Sequence, residues 1–304
     1  MGDPRAVSAV SVVDTEAGRP TMIQKVTEVR RYYERHGIEY LLYTIAEKLI
    51  RNGRLGHAKL PGVIERVPAE YYRRRFRLRG ARSFTAPLDP LRLLEVDPDT
   101  VSRSSARPLM RWEDRVDQIG VIRGGKWDLE NKPPLPGSCE YSDLYEKLFL
   151  FDEFDESIFY RSMVDHFEKG VEWERTEFFD RLIDEPDAFK PTYHRCRNER
   201  DVVQRCHELD RLFERIEREG YRSQSEFHPK FLLPKQRALE ILVDIGRNGE
   251  ILFVDGRHRL AIAKILDLDA VPVTPLVRHE QWMEKRDRAW QRRVALDHPD
   301  INYS

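Results

Sequence analysis

The stretch LEILVDIGRNGEILFVDGRHRLAIAKILDLDAVPVTPLV, residues 239–277, constrains the fold more than any other part of the chain. ILVDIG and EILFVD are two apolar runs rich in β-formers, and the turn-prone Arg247-Asn248-Gly249 separates them, which predicts a β-hairpin. The second run feeds Asp255-Gly256, and from Arg259 to Asp267 helix-forming residues follow with no breaker. VPV at 271–273 reads as the next strand. Asp255, Gly256, Arg257, His258 and Arg259 therefore occupy a tight turn and the opening of a helix.

That position has its own chemistry. A helix start presents unpaired amides and the positive end of the helix dipole, so it favours an anion, and a glycine lets the backbone come close to one. Arg257 and Arg259 add paired donors that match phosphate oxygens. His258 can donate to phosphate or shuttle a proton, because a histidine titrates near pH 6.5. Asp255 can orient an arginine, cap the helix, or hold a metal bound to phosphate. The competing reading makes Asp255 a plain cap and the three basic side chains solvated. Cations at a helix N-terminus each cost about a few tenths of a kcal/mol, so three together argue for an anionic partner.

The pattern VDGRHRLAIAKILDLDAVPV, residues 254–273, resembles the ParB/sulfiredoxin superfamily and its ParB-like N-terminal nucleotide-binding domain. Members share a strand, a Gly-x-x-Arg turn, an Ala-containing helix and a Val-Pro-Val-like strand. The likeness runs back more weakly through RLFERIEREGYRSQ at 211–224, a helix ending in Gly before a Gln turn, and so covers about residues 211–277. LRLLEVDPDTV at 91–101 is similar to the family's first strand. The resemblance implies an α/β (α+β) fold with a mixed sheet, and a turn that holds the phosphates of CTP, ATP or ADP, with Mg2+, through Gly256, His258 and Arg259. In the family-like arrangement Glu219 and Glu250 flank this turn, and with Asp255 and His258 they are the candidate catalytic groups. Sulfiredoxins place a catalytic cysteine where this chain has Arg257, which argues against their sulfur chemistry. Phosphotransfer or NTP hydrolysis at the turn is compatible with the resemblance; the sequence does not decide whether there is turnover.

The rest of the chain is organised by charge. The formal net charge is −1, from 52 basic and 53 acidic residues, so no global polycation argument for nucleic acid applies. Residues 1–90 nevertheless hold 17 Lys/Arg against 10 Asp/Glu, and 140–188 hold 5 against 16. We read 1–20 as a flexible N-terminus, 21–90 as a basic helical extension, 91–125 and 196–280 as the ParB-like domain, 126–195 as an acidic helical insert and 281–304 as a C-terminal tail. Within the extension, TMIQKVTEVRRYYERHG and IEYLLYTIAEKLIRNG each end on a glycine, as helices do, and EYYRRRFRLRG forms a basic-aromatic block. An alternative function follows from residues 21–82: a non-enzymatic protein that docks on an anionic membrane surface or nucleic acid.

Three widely spaced cysteines, Cys139, Cys196 and Cys206, speak against a disulfide framework. His194, Cys196, Cys206 and His207 do not have zinc-site spacing, so no metal site is expected. No run approaches the roughly 20 apolar residues of a spanning helix, and the first residues lack a signal pattern. A cytoplasmic protein without a transmembrane segment, peripheral to a membrane at most, is the expectation.

Overall fold

The computed structural model describes residues 63–78, 83–107, 114–129, 148–149, 153–184, 196 and 198–301, all within the unit Gly62–Ser304. The helices expected over 21–53, the Pro/Gly-rich stretch 133–138, Cys139 and His194 lie outside the described residues.

The described residues form nine helices and five strands of the α/β class. In chain order these are α1 (Val63–Leu78), β1 (Leu94–Val96), α2 (Arg115–Gln118), β2 (Val121–Arg123), α3 (Ile158–Phe167), α4 (Glu177–Asp184) and α5 (Glu199–Glu219). They are followed by α6 (Gln224–Phe227), α7 (Leu233–Arg237), β3 (Ile241–Ile245), β4 (Ile251–Asp255), α8 (Arg257–Ile265), β5 (Val271–His279) and α9 (Glu280–Arg292).

The strands make one mixed sheet in the order β1-β5-β3-β4, with β2 pairing β5 farther along. β3 and β4 are the antiparallel hairpin, with Ile245 opposite Ile251. β5 returns parallel to β3, Ile241 opposite Val273, so the chain must cross over β3, and α8 makes that crossing packed on β3 and covered by α3 and α5. β1 pairs antiparallel and β2 parallel to β5. The outer side of β4 is not bare: Phe253 donates to the Arg103 carbonyl at 2.8 Å and accepts from the Ser105 amide at 2.7 Å.

All five residues of β3 are buried, so its ILVDI reads as the near-continuous apolar run of a strand covered on both faces. Asp244 is the exception, and its charge is fully answered. Its carboxylate accepts from Arg107 Nε at 2.6 Å and Nη2 at 2.9 Å, from Ser105 Oγ at 2.6 Å and from the Val277 amide at 3.0 Å.

Three boundaries differ from the sequence reading for physical reasons. α8 opens at Arg257, two residues before the expected start, because Gly256 in the left-handed conformation serves as its N-terminal cap residue. β5 continues six residues beyond VPV in spite of Pro275, which sits where the β3/β5 register shifts, a place where a strand tolerates the missing N–H. Residues 281–301 are not a tail: α9 runs along β5, and Asp300 is completely buried. The described part of the basic-aromatic block is α1, whose Tyr72 and Phe76 are core residues and whose Arg73 and Arg75 pair with Asp89 and Asp117.

A single apolar cluster joins sheet residues such as Ile241, Val243 and Val273 to Phe159, Met163, Phe178 and Leu182 of α3 and α4. The acidic helices thus share the sheet's core. Cys206 is on the buried stripe of α5, and burial pushes its thiol up to about 12 and that of Cys196 to about 11, which makes both poor nucleophiles. Among the described residues no helix is long and apolar enough to cross a membrane.

Candidate functional site

The β4–α8 turn is built around Gly256, whose φ of +95° is closed to most L side chains. A Cβ there would also meet the Ile241 Cα at 3.0 Å and Arg259 Nη2 at 3.3 Å. No side chain caps the helix, so Asp255 is not the cap the sequence allowed for. Asp255 instead pairs with Arg115 at the start of α2. Burial works to raise its pKa, yet Arg115 first, then Arg257, the Gly256 amide and Arg259, hold the carboxyl below the usual range.

The three basic residues separate in space. Successive helical residues are about 100° apart, so three in a row cannot share a face. The Arg257 guanidinium is over the Phe149 ring at 4.1 Å, and His258 packs edge-on against Phe159 of α3 with ring centres 5.1 Å apart. Both side chains turn toward the acidic helices. His258 and Arg259 thus leave the first turn of α8 in different directions. Arg259 alone points the other way, with Nη1 3.5 Å from the Tyr221 hydroxyl and 4.0 Å from Glu240 Oε2.

There Arg259 is part of a shallow, open cleft whose other walls come from the end of α5 and from α6. Leu212, Arg215, Ile216 and Glu219 line it at the three- and four-residue spacing of one helix face, and Tyr221, Arg222, Gln224 and Phe227 follow past Gly220. Arg222 is held by Glu226, to which its Nε donates at 2.9 Å, and the three guanidiniums of the lining, those of Arg215, Arg222 and Arg259, share it with a single carboxylate. That carboxylate, Glu219, accepts from Arg218 Nη2 at 2.7 Å and is 3.8 Å from Arg222 Nη1, contacts that keep its pKa below the ordinary value.

Glu240 closes the site from beneath. Its side chain is fully buried, one oxygen accepting from the Ser223 hydroxyl and from the Gln224 amide at 2.8 Å. The other, Oε2, faces Arg259 and has no hydrogen-bond partner among the described residues. Burial outweighs these donors and raises the pKa of Glu240, and burial likewise raises that of Tyr221. Nearby, His228 stacks on Phe231 at 5.2 Å; burial, with the charges of Arg259 and Lys235, lowers its pKa and keeps the ring neutral at pH 7.

Of the candidate residues, the cleft brings together Arg259 and Glu219, while Gly256 in the turn is beside the Arg259 guanidinium. Asp255, Arg257 and His258 share the turn but not the cleft. Glu250 is elsewhere: it accepts from the Asn248 amide at 3.2 Å and Nδ2 at 3.1 Å in the hairpin turn, at the far end of β4 and about 17 Å along the strand from Asp255. Sequence reasoning missed Arg115, Arg215, Tyr221, Arg222, Phe227, His228 and Glu240. The Gly220 helix stop and the polar GYRSQ that follows it marked the place, but not the pairing with α8.

Comparison of the chain with protein-family models, with curated proteins and with solved structures gave no match.

Proposed function

We propose that this chain is a ParB-like domain protein that binds a nucleotide or another phosphorylated ligand where the first turn of α8 meets the cleft beside Gly220. The observation that carries the reading is Arg259, which joins a helix opening without a side-chain cap to a cleft holding two further arginines. An anion placed there meets main-chain amides on one side and guanidinium forks on the other.

Binding is better supported than turnover. Asp255 is engaged by Arg115, Glu219 by two arginines, Glu250 by its own hairpin turn, and His258 packs on Phe159. None of these four candidate acid–base groups points into the cleft uncommitted. Among the described residues no group of three or more His, Cys, Asp or Glu is placed to hold a metal. The docking alternative loses ground in α1, where Tyr72 and Phe76 face inward and Arg73 and Arg75 are paired.

Calorimetric titration with CTP, ATP and ADP in the presence of Mg2+, beside inorganic tripolyphosphate, tests the reading. Micromolar binding that weakens at least tenfold in Arg259→Ala is expected. Failure of every phosphate compound to bind, or equal binding by the variant, overturns it.

A further inference from the structure

We infer that Asn248 is a site of spontaneous deamidation that the fold holds in check, and that Glu250 is the residue that holds it. Both belong to the turn between β3 and β4, at the opposite end of β4 from Gly256. Asn248 is exposed and is followed by Gly249. In an Asn-Gly pair the glycine nitrogen, once it gives up its proton, attacks the side-chain carbonyl carbon of the asparagine, because no side chain on the glycine obstructs the approach. A bond forms between the Gly249 nitrogen and Asn248 Cγ, the Cγ–Nδ2 bond breaks, and ammonia leaves behind a cyclic imide. Water then opens the imide at either carbonyl. One opening yields aspartate; the other yields isoaspartate, with the backbone routed through Cβ and lengthened by a methylene.

Nucleophile and leaving group both have partners in the folded chain. The Gly249 N–H donates to the Gly246 carbonyl at 3.1 Å, so its proton is engaged. Asn248 Nδ2 donates to Glu250 Oε1 at 3.1 Å, and the Asn248 backbone amide donates to Glu250 Oε2 at 3.2 Å. A single carboxylate thus bridges the backbone and the side chain of the same asparagine and fixes the torsions that attack has to change. The carbonyls of the pair are held as well. That of Asn248 accepts from Lys285 Nζ at 3.3 Å, and that of Gly249 accepts from His298 Nε2 at 2.7 Å. Gly249 has a φ of +106° and lies on the Trp282 indole, where an added Cβ would be 2.8 Å from Cζ3. A turn seated this closely has no place for an extra methylene. Deamidation also sets a new carboxylate beside that of Glu250, and the two repel. The modified turn is therefore expected to release Lys285 of α9 and His298.

Mass spectrometry of peptides that span residue 248 tests this on the full chain, kept in mildly alkaline buffer. The samples are the folded parent, folded Glu250→Ala and Glu250→Gln, and the parent unfolded in guanidinium chloride, with thermal melts to verify folding of the variants. Peptide mapping separates residue 248 from the chain's second Asn-Gly pair, Asn52-Gly53. The mass gained when an amide becomes an acid, together with enzymatic methylation of isoaspartate, reads the product. The folded parent is expected to convert several-fold more slowly than the unfolded chain. Glu250→Ala raises the folded rate about fivefold, the worth of one hydrogen bond. Glu250→Gln, whose side-chain oxygen still accepts from Asn248 Nδ2, keeps the parent rate. Conversion as fast in the folded parent as in guanidinium chloride shows that the fold does not hold the site in check. A Glu250→Ala chain that converts no faster than the parent, or a Glu250→Gln chain that converts as fast as the alanine variant, overturns the role of Glu250. Absence of conversion at residue 248 even in the unfolded chain overturns the site itself.

Discussion

Glu240 has two roles that conflict: it is a buried carboxylate, costly to ionise, and it provides the counter-charge for Arg259. Burial raises its folded-state pKa above the ordinary glutamate value of 4.5. The folded protein then binds a proton more tightly than the unfolded chain does. The stability this gives is fully present below 4.5 and is lost as pH rises through the raised value. Glu240→Gln fixes the neutral form, so its urea midpoint is expected to fall less than that of the parent over that window; identical pH profiles would contradict the assignment. The same substitution removes the acid that competes for Arg259, and tripolyphosphate affinity is expected to rise at low salt. Little of this was legible in the chain. Glu240 precedes an apolar strand with no motif about it, and its partners Ser223, Gln224 and Arg259 are 16 to 19 positions away. Arg257, His258 and Arg259 were visible as a basic trio, but one turn of helix dispersed them, a geometric fact that outranks their adjacency in sequence.

The β4–Gly256–α8 unit is the part of the fold that local chemistry specifies best. Hairpin, glycine turn and helix depend on short-range periodicity and turn preference, and the structure has each of them close to where these place it. The strands β1 and β2 are only three residues long and gain their register from β5, far along the chain, so residue pattern marks them without fixing their partners. Gly256 is the hinge of the local unit. An alanine there adopts a left-handed conformation at a cost of about 1–2 kcal/mol and sets its Cβ against Ile241 and the Arg259 guanidinium. Gly256→Ala is expected to lower stability by at least that amount in urea unfolding and to weaken phosphate binding beyond what the stability loss explains, because Arg259 must move. A variant with parent-like stability and affinity would show that the left-handed turn is not what positions Arg259.

At the scale of the molecule, chain segments remote in sequence are tied together by one carboxylate. Asp300 accepts from Arg278 Nη2 at 2.7 Å and Trp282 Nε1 at 2.9 Å, and its Oδ2 is 3.3 Å from Arg286 Nε. Arg286 reaches the Pro87 carbonyl at 3.0 Å, and Arg92 reaches that of Pro299 at 2.9 Å, so the segment before β1, the end of β5, α9 and the C-terminal turn meet at this point. Two guanidiniums and one carboxylate are buried together, with side chains 1%, 0% and 0% exposed. Burial alone would raise the pKa of Asp300, but Arg278 first and Arg286 after it hold the carboxyl below the ordinary 3.8. A depressed carboxyl stabilises the fold above 3.8, and that contribution is lost as pH falls through the depressed value. Asp300→Asn removes the charge and leaves two buried cations facing each other, a change that costs about 3–5 kcal/mol when one partner of a buried pair is lost. Since one apolar cluster connects the sheet to α3, α4 and α5, the loss is expected as a shift of a single unfolding transition and not as the melting of a frayed end. Urea unfolding followed by tryptophan fluorescence, with Trp282 beside the mutated site, and by circular dichroism reads both quantities. A loss below about 1 kcal/mol, the scale of an exposed pair, would mean that Asp300 does not hold these segments together. Two separated transitions would mean that α9 and its neighbours unfold apart from the sheet.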